Sequence, residues 1–517
     1  MLVANAAQMQ EMDRLMIEEF DYPGLLLMET AGRKSADFLA ERYPGNRFLI
    51  VCGTGNNGGD GMVIARYLTA RGIEVQLLFT ETPDKCTGDA RTNLKIVEKR
   101  GIPYRVYPDF DVVSYLKDGN AVVVDAMIGT GLRQKLREPF VSIIKLLQAQ
   151  SAPVVAVDMP SGLLGDTGAV INLPLKCEYT LTFQVPKICH CVTPASLYCG
   201  KVVVVDIDIY QNVQERLGVK TEAMTEAMVR LWRQSRQMEA HKNRFGHVMV
   251  VGGSRGKGGA PALTASAVLD VGAGLVTAFI PGSAACAFHR NTLEGMSVPY
   301  GTESTPFLND VSADIFPEYL KDKTVLAIGP GLGVNDDTVA FLKGVLPHAR
   351  MPMVLDADAL NIMAQNPSFW ELIPQETLPH TVLTPHPGEM ARLLRTTTDE
   401  VQERRLESAM HLAVERKVNV VLKGAGTLVA APNGAVYFCS LGNPGMASAG
   451  MGDVLTGAIA GLMAQGYPAL KAAALGAYVH AFAGDMVAET QGVEGVKAGK
   501  VARRLGAAIQ HMLKATP

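Results

Sequence analysis

Twice along this chain an apolar run ends in a glycine-rich loop that opens a helix. The first is RFLIVCGTGNNGGDGMVIARYLTARG, from Arg47, and the second is HVMVVGGSRGKGGAPALTASAVLDVGAG, from His247. Further apolar strands alternate with helical patterns after each. That order predicts an α/β fold with a parallel, doubly wound sheet. The strands of the first series are RFLIVC, EVQLLF, AVVVDA, VVAVD and KVVVVDIDI. Helices are expected over Ala90–Lys99, near Phe140–Gln148, and as two patterns between Gln8 and Arg42. Two such series need two domains, as does a length of 517 residues, since single cores stop growing near ~250–300 residues. The break falls in the polar, helix-prone segment after KVVVVDIDI, giving expected domains of 1–217 and 222–517.

Composition excludes several classes of function. A formal net charge of -3 gives no reason to expect nucleic acid or an anionic membrane surface. No apolar run reaches the ~18 residues of a membrane span. The start, MLVANAAQMQEMDRLM, lacks the basic and apolar regions of a signal peptide, so a cytoplasmic protein is expected. The 8 cysteines form no regular disulfide framework, which suits a reducing compartment. Cys177, Cys189, Cys191 and Cys199 cluster around His190, but Cys189-x-Cys191 lacks the two-residue gap usual at structural zinc.

The stretch Asn443–Gly457, NPGMASAGMGDVLTG, puts Gly445, Gly450 and Gly452 ahead of Asp453 and a long apolar run. A helix N-terminus offers free N–H groups and partial positive charge, which suit a phosphate. Asp453 then stands in the first turn, where it can cap the helix or take a proton from a hydroxyl facing the phosphate. Other strand ends of the second series are equally polar. GPGLG carries Gly329, Gly331 and Gly333, LDADALN carries Asp356 and Asp358, LTPHPGEM sets His386 between prolines, and VVLKGAGT supplies Lys423 to Thr427. Asp356 and Asp358 read as turn or supporting residues, and a lone histidine reads as structural. No loop matches a Walker P-loop.

In the first half, Gly53-Thr54-Gly55-Asn56-Asn57-Gly58 fits G-x-G-x-x-G and runs on through Gly59, Asp60 and Gly61. No carboxylate ends the second strand where a ribose would be held, so ordinary dinucleotide binding is not expected. Asp125 and Asp158 each end an apolar strand and are expected to converge on one crevice. With an asparagine and a serine they also suit an oxygen-lined cation site; as plain turn formers they would need no ligand.

VCGTGNNGGDG, VVDAMIGTGL and VVAVDMPSGL together resemble the NAD(P)H-hydrate epimerase family, over about Met9–Ile209. The resemblance implies a Rossmann-like domain. It implies that Asn56, Asn57, Gly58, Gly59 and Asp60, with Gly129, Thr130, Gly131, Leu132, Arg133, Gln134 and Lys135, hold the damaged cofactor. Asp158 would contact the hydrated ring and is the candidate proton-moving group. Asn57, Asp125 and Ser161 would hold a potassium ion. A threonine, Thr54, stands where the family has proline.

GPGLG, LDADALN, LTPHPGEM, VVLKGAGT and NPGMASAGMGDVLTG resemble the nucleotide-dependent NAD(P)H-hydrate dehydratases, a ribokinase-like family, over about Phe245–Leu513. By that resemblance Ala260, a GPGLG glycine (Gly331 or Gly333) and His386 contact the hydrate. Lys423, Gly424, Ala425, Gly426, Thr427 and Gly452 contact the nucleotide, and Asp453 is the general base. The implied activity is repair of hydrated NADH and NADPH (NADHX and NADPHX), R and S forms being interconverted and the S form dehydrated. The sequence leaves ADP against ATP open; fusion of both halves resembles the bacterial arrangement, which implies ADP, with Mg2+ beside it. Relatives assemble into multimers, which implies a homo-oligomer. The alternative is a ribokinase-like small-molecule kinase fused to a nucleotide-binding sensory domain.

Overall fold

In a computed structural model the apolar runs become the strands of two sheets; residues 1–132, 134–171, 173–234, 239 and 241–514 are described. The chain divides into two compact units, Met1–Thr221 and Glu222–Pro517. Among the described residues no helix is long and apolar enough to cross a membrane.

The first unit carries a seven-stranded sheet: β1 (Arg47–Cys52), β2 (Val75–Phe79), β3 (Tyr104–Val106), β4 (Ala121–Ala126), β5 (Val154–Val157), β6 (Tyr179–Phe183) and β7 (Lys201–Val205). The order is β3-β2-β1-β4-β5-β6-β7, and every neighbouring pair is parallel. The central strands are buried along nearly their whole length because helices cover both faces. The order reverses between β1 and β4, so the loops leaving their carboxyl ends part and open a crevice. The helix Asn56–Ala70 starts there. Gly58 in its first turn is required by packing, since a methyl group at that position would lie 1.9 Å from the Gly53 carbonyl oxygen.

The second unit carries a ten-stranded sheet. Its strands are β8 (Thr221–Ala223), β9 (His247–Val251), β10 (Leu275–Pro281), β11 (Met296–Tyr300), β12 (Val325–Ile328), β13 (Met353–Leu355), β14 (Thr381–Leu383), β15 (Asn419–Leu422), β16 (Thr427–Ala430) and β17 (Val436–Cys439). The order is β11-β10-β9-β12-β13-β14-β15-β16-β17-β8. From β11 to β15 neighbours are parallel; β16 and β17 then pair antiparallel. Lys423 to Gly426 form the turn of the β15–β16 hairpin. The order reverses between β9 and β12, and the glycine, Asp356, His386 and Lys423 loops all leave the carboxyl ends of neighbouring parallel strands. The helix Met451–Ala464 follows, buried from Val454 to Ala464 because it is apolar on every face.

Candidate active sites

The crevice of the first unit holds a cavity of about 470 Å³. Its walls come from the loop after β1 (Thr54, Asn56, Asn57, Asp60), the loop after β4 (Met127 to Gly131), Asp158, and residues outside the sequence motifs, among them Asp13 and Lys187. Asp158 follows β5 with a left-handed φ of 65°, a conformation non-glycine residues keep only when their surroundings impose it. The surroundings here are an ion pair. Lys187 is 1% exposed, and its Nζ donates to Asp158 Oδ1, to Thr182 Oγ1 at 2.9 Å and to the Phe183 carbonyl at 3.1 Å. His190 Nδ1 accepts the Lys187 backbone N–H at 3.0 Å, and burial pushes that imidazole down to about 3, so its ring stays neutral. Burial also pushes Asp13 up to about 6, the Lys187 charge opposing and the Asp158 charge adding. Asp60 is raised well above the usual carboxyl range by burial first, then by the charges of Asp158 and Asp13.

Asp125 is fully buried and is not part of the cavity wall. Its Oδ1 accepts the Ser161 hydroxyl at 2.7 Å and the Met127 N–H at 3.2 Å, and its Oδ2 accepts the Ser161 N–H at 2.8 Å. Burial raises it to about 6 against the pull of those bonds. The Asn57 amide nitrogen is buried without a hydrogen-bond partner.

In the second unit Gly450 is the N-cap of the helix Met451–Ala464, at φ 84°, and no side chain caps that helix. Asp453 therefore stands in its first turn without being a cap. Burial pushes its carboxyl up to about 7, with Asp356 adding, Lys423 opposing and Asp358 adding. Lys423 follows β15 and reaches Asp356 Oδ1 at 2.8 Å and Glu389 Oε2 at 3.7 Å. Asp356 Oδ2 accepts the Thr456 hydroxyl at 2.8 Å, which ties the end of β13 to the same helix. A methyl group on Gly452 would lie 3.2 Å from Lys423 Nζ, so the ammonium stands against the helix N-terminus. Asp358 Oδ2 accepts the Gly333 N–H at 2.8 Å, and Gly331 packs towards Ala260, whose Cβ a methyl there would approach to 3.1 Å. His386 caps the helix Pro387–Leu394, Nδ1 accepting from Gly388 at 3.0 Å and Glu389 at 3.3 Å. Arg405, 1% exposed, donates to the carbonyls of Leu422 (3.3 Å), Lys423 (3.2 Å) and Gly426 (3.4 Å) and so props the turn Lys423–Thr427 from behind. A carboxylate that titrates near neutrality, an ammonium and open helix N–H groups at one place suit proton removal beside a bound phosphate.

Residues 248–506 match the family model described as NAD(P)H-hydrate dehydratase, and residues 24–189 match that described as YjeF-related protein N-terminus. A bifunctional NAD(P)H-hydrate repair enzyme of Moorella thermoacetica is 40% identical over 509 residues, covering 96% of this chain and 95% of its own. The chain belongs to the bifunctional NAD(P)H-hydrate repair enzyme family. The Escherichia coli enzyme of that name is 34% identical over 491 residues, covering 93% of this chain and 89% of its own. Among solved structures, a ribokinase-like superfamily protein of Enterococcus faecalis superposes with a TM-score of 0.50 at 25% identity, covering 57% of this chain and 96% of its own.

Within that family frame the structure sorts the expected residues. Asn56, Asn57, Asp60, Gly129, Thr130, Gly131 and Asp158 line one cavity. Gln134 and Lys135 are exposed and lie outside its wall, because the chain turns to the surface after Gly131; Leu132 packs on the core beside Leu136 instead. Arg133 lies outside the described residues. Gly58 and Gly59 are buried against Gly53 and Met28 and serve packing. The expected convergence of Asp125 and Asp158 is corrected: only Asp158 opens into the cavity, because the Ser161 and Met127 bonds hold Asp125 inward. Near Asp453, a methyl on Gly445 would lie 2.1 Å from the Val493 carbonyl, so that glycine also answers to packing. Cys189 and Cys199 pack with Met159, Leu163 and Ala195 in a small apolar cluster.

Proposed function

We propose that this chain repairs hydrated NADH and NADPH, with an epimerase in residues 1–217 and a nucleotide-dependent dehydratase in residues 222–517. The observation that carries the reading is Asp453, poised near neutrality beside Lys423 at an uncapped helix N-terminus. The S hydrate carries a hydroxyl at ring carbon 6, next to the ring nitrogen. Asp453 takes that hydroxyl's proton, and the alkoxide attacks the terminal phosphoryl group of the nucleotide. The helix N–H groups and Lys423 face the charge that develops. The ring nitrogen's lone pair then expels phosphate, and loss of a ring proton restores the dihydronicotinamide. Lys423, Gly424, Ala425, Gly426, Thr427 and Gly452 are proposed to hold the nucleotide. ADP is the proposed donor with Mg2+ beside it, and Ala260, Gly331 or Gly333 and His386 are proposed to hold the hydrate.

In the epimerase, Asp158 is the proposed base and the cavity of Asn56, Asn57 and Asp60 the proposed binding site. Asn57, Asp125 and Ser161 are proposed to hold potassium. A fully buried carboxylate bonded to no cationic side chain among the described residues fits a monovalent ion, to which Asn57 would turn its carbonyl oxygen. Such an ion would fix the loops after β1, β4 and β5 and balance Asp125. Cytoplasmic location suits 8 cysteines that all remain thiols, and a homo-oligomer is part of the proposal.

The deciding assay follows the dihydronicotinamide absorbance band on adding ADP, or ATP, to the purified protein with mixed R and S hydrated NADH. Full recovery of NADH with release of free phosphate is expected. A stable phosphorylated product would instead make the second unit a small-molecule kinase.

A further inference from the structure

The ion pair in the first unit's cavity accounts for one proton-moving group, and ring opening needs two. Lys187 spends its three N–H bonds on Asp158, Thr182 and Phe183 and is 1% exposed, so it orients Asp158 and has no donor left for a substrate. Asp158 Oδ1 is held by that contact, and Oδ2 faces the Gly129 backbone, 3.5 Å from where a methyl would stand. Asp60 lines the same cavity from the second turn of the helix Asn56–Ala70. It is 8% exposed, and its carboxyl makes no hydrogen bond or ion pair among the described residues. A buried carboxyl without a partner is costly as a charge and cheap as an acid.

We propose that Asp60 is the proton donor of the epimerase, giving its carboxyl proton to the ring nitrogen while Asp158 takes the proton of the C6 hydroxyl. The proposal rests on the epimerase reading above. The step balances within the site. The O–H electron pair becomes the second bond of a C6 aldehyde. The C6–N1 bond breaks, its pair passes to N1, and N1 takes the Asp60 proton. The ring is now open, and rotation about C5–C6 presents the other aldehyde face. N1 attacks C6 and returns its proton to Asp60, while the new alkoxide takes its proton back from Asp158. The R form has become S, and both carboxyls are restored without a co-reactant.

The surroundings suit the two roles. Asp158 has an ammonium partner. Asp60 faces the negative charges of Asp158 and Asp13, opposed by Lys187, and the Cys52 thiol beside it is pushed up by burial and stays neutral. Within one cavity, a carboxyl paired with an ammonium and a buried carboxyl without a partner suit a base and an acid.

The test uses the full-length protein without nucleotide, so that dehydration is silent, and chemically hydrated NADH enriched in the R form. Chromatography follows the appearance of S. Wild-type kcat should fall as rising pH takes the proton from Asp60. Asp60→Asn should lower kcat by ~10²-fold or more, leave KM within a few-fold, and abolish that fall. Dehydration of S by the same preparation, once nucleotide is added, reports that the chain is intact. An Asp60→Asn enzyme with wild-type kcat, or one that keeps the fall, overturns the proposal. If Asp60→Asn does not fold, Asp13→Asn decides. Removing that neighbouring charge must move the fall to lower pH, and an unmoved limb overturns the assignment. A wild type that never interconverts R and S overturns the epimerase reading itself, a different result from an active enzyme indifferent to Asp60.

Discussion

At the scale of single residues, Asp453 carries the sharpest expectation. Asp453→Asn keeps the size and removes the base, so dehydration should fall by ~10²–10⁴-fold, while epimerisation and nucleotide binding persist. Because a base must be unprotonated, wild-type dehydration should rise with pH through about 7 and then level off. Stability runs the other way. A carboxyl raised in the folded state binds its proton more tightly there than in the unfolded chain. The stability it contributes is therefore full below the unfolded value of 3.8 and lost as pH rises towards about 7. Asn has no such dependence, so the variant's Tm should match or exceed wild type above neutrality. Turnover within a few-fold of wild type would remove Asp453 from the chemistry. Asp453 was legible in the sequence because it sits in a compact glycine motif. Lys187 and Asp13 were not. Lys187 meets Asp158 from 29 residues away, through the turn after β6, and a lysine beyond a strand reads as solvated. Asp13 sits on the apolar stripe Met9, Met12, Met16 of the helix Ala6–Glu19, a carboxylate where core was due. That misplacement was the one available signal.

At the scale of elements, periodicity was a good guide where burial is two-sided. The helix Phe140–Gln148 has the expected bounds, and that expected over Ala90–Lys99 begins at Gly88. The strands Tyr104–Val106 and Met296–Tyr300 lie at sheet edges and are partly exposed, so no continuous apolar run marks them. The Lys423–Thr427 turn was visible as glycines, but its support was hidden. Arg405 enters from the helix Arg405–Arg416, and its guanidinium occupies the space that a side chain at Gly424 would need, 3.2 Å from such a methyl. Arg405→Met keeps the bulk and takes the donor from carbonyls that are costly to leave unpaired, ~1–3 kcal/mol for each buried group. The turn should loosen, raising the nucleotide KM about tenfold with a smaller change in kcat, as expected when uniform binding is lost. Arg405→Lys should recover part of the KM. A lowered Tm with unchanged nucleotide KM would make Arg405 a core residue only.

At the scale of the whole molecule, a fragment tests the division of labour. Each unit has its own sheet and buried core. Met12, Leu39, Phe48, Ile50 and Val124 belong to the first, and Val250, Val268, Val454, Ile459 and Val479 to the second. A domain near 300 residues buries ~75% of the surface its unfolded chain exposes, enough to fold alone. A fragment of residues 221–517 keeps β8 whole and retains Asp453, Lys423, Asp356 and Arg405. It should fold with a single cooperative transition and convert S hydrate to NADH at the rate of the full chain. Given a mixture, it should stop once the S form is consumed, leaving R to drain only at the slow spontaneous rate. Adding the full-length Asp453→Asn protein, which cannot dehydrate but still epimerises, should then restart the reaction and carry it to completion. That complementation separates the two activities without requiring the first unit to be stable alone. If the fragment by itself consumes R as fast as S, the second unit accepts both forms, and the epimerase assignment of the first unit loses its purpose.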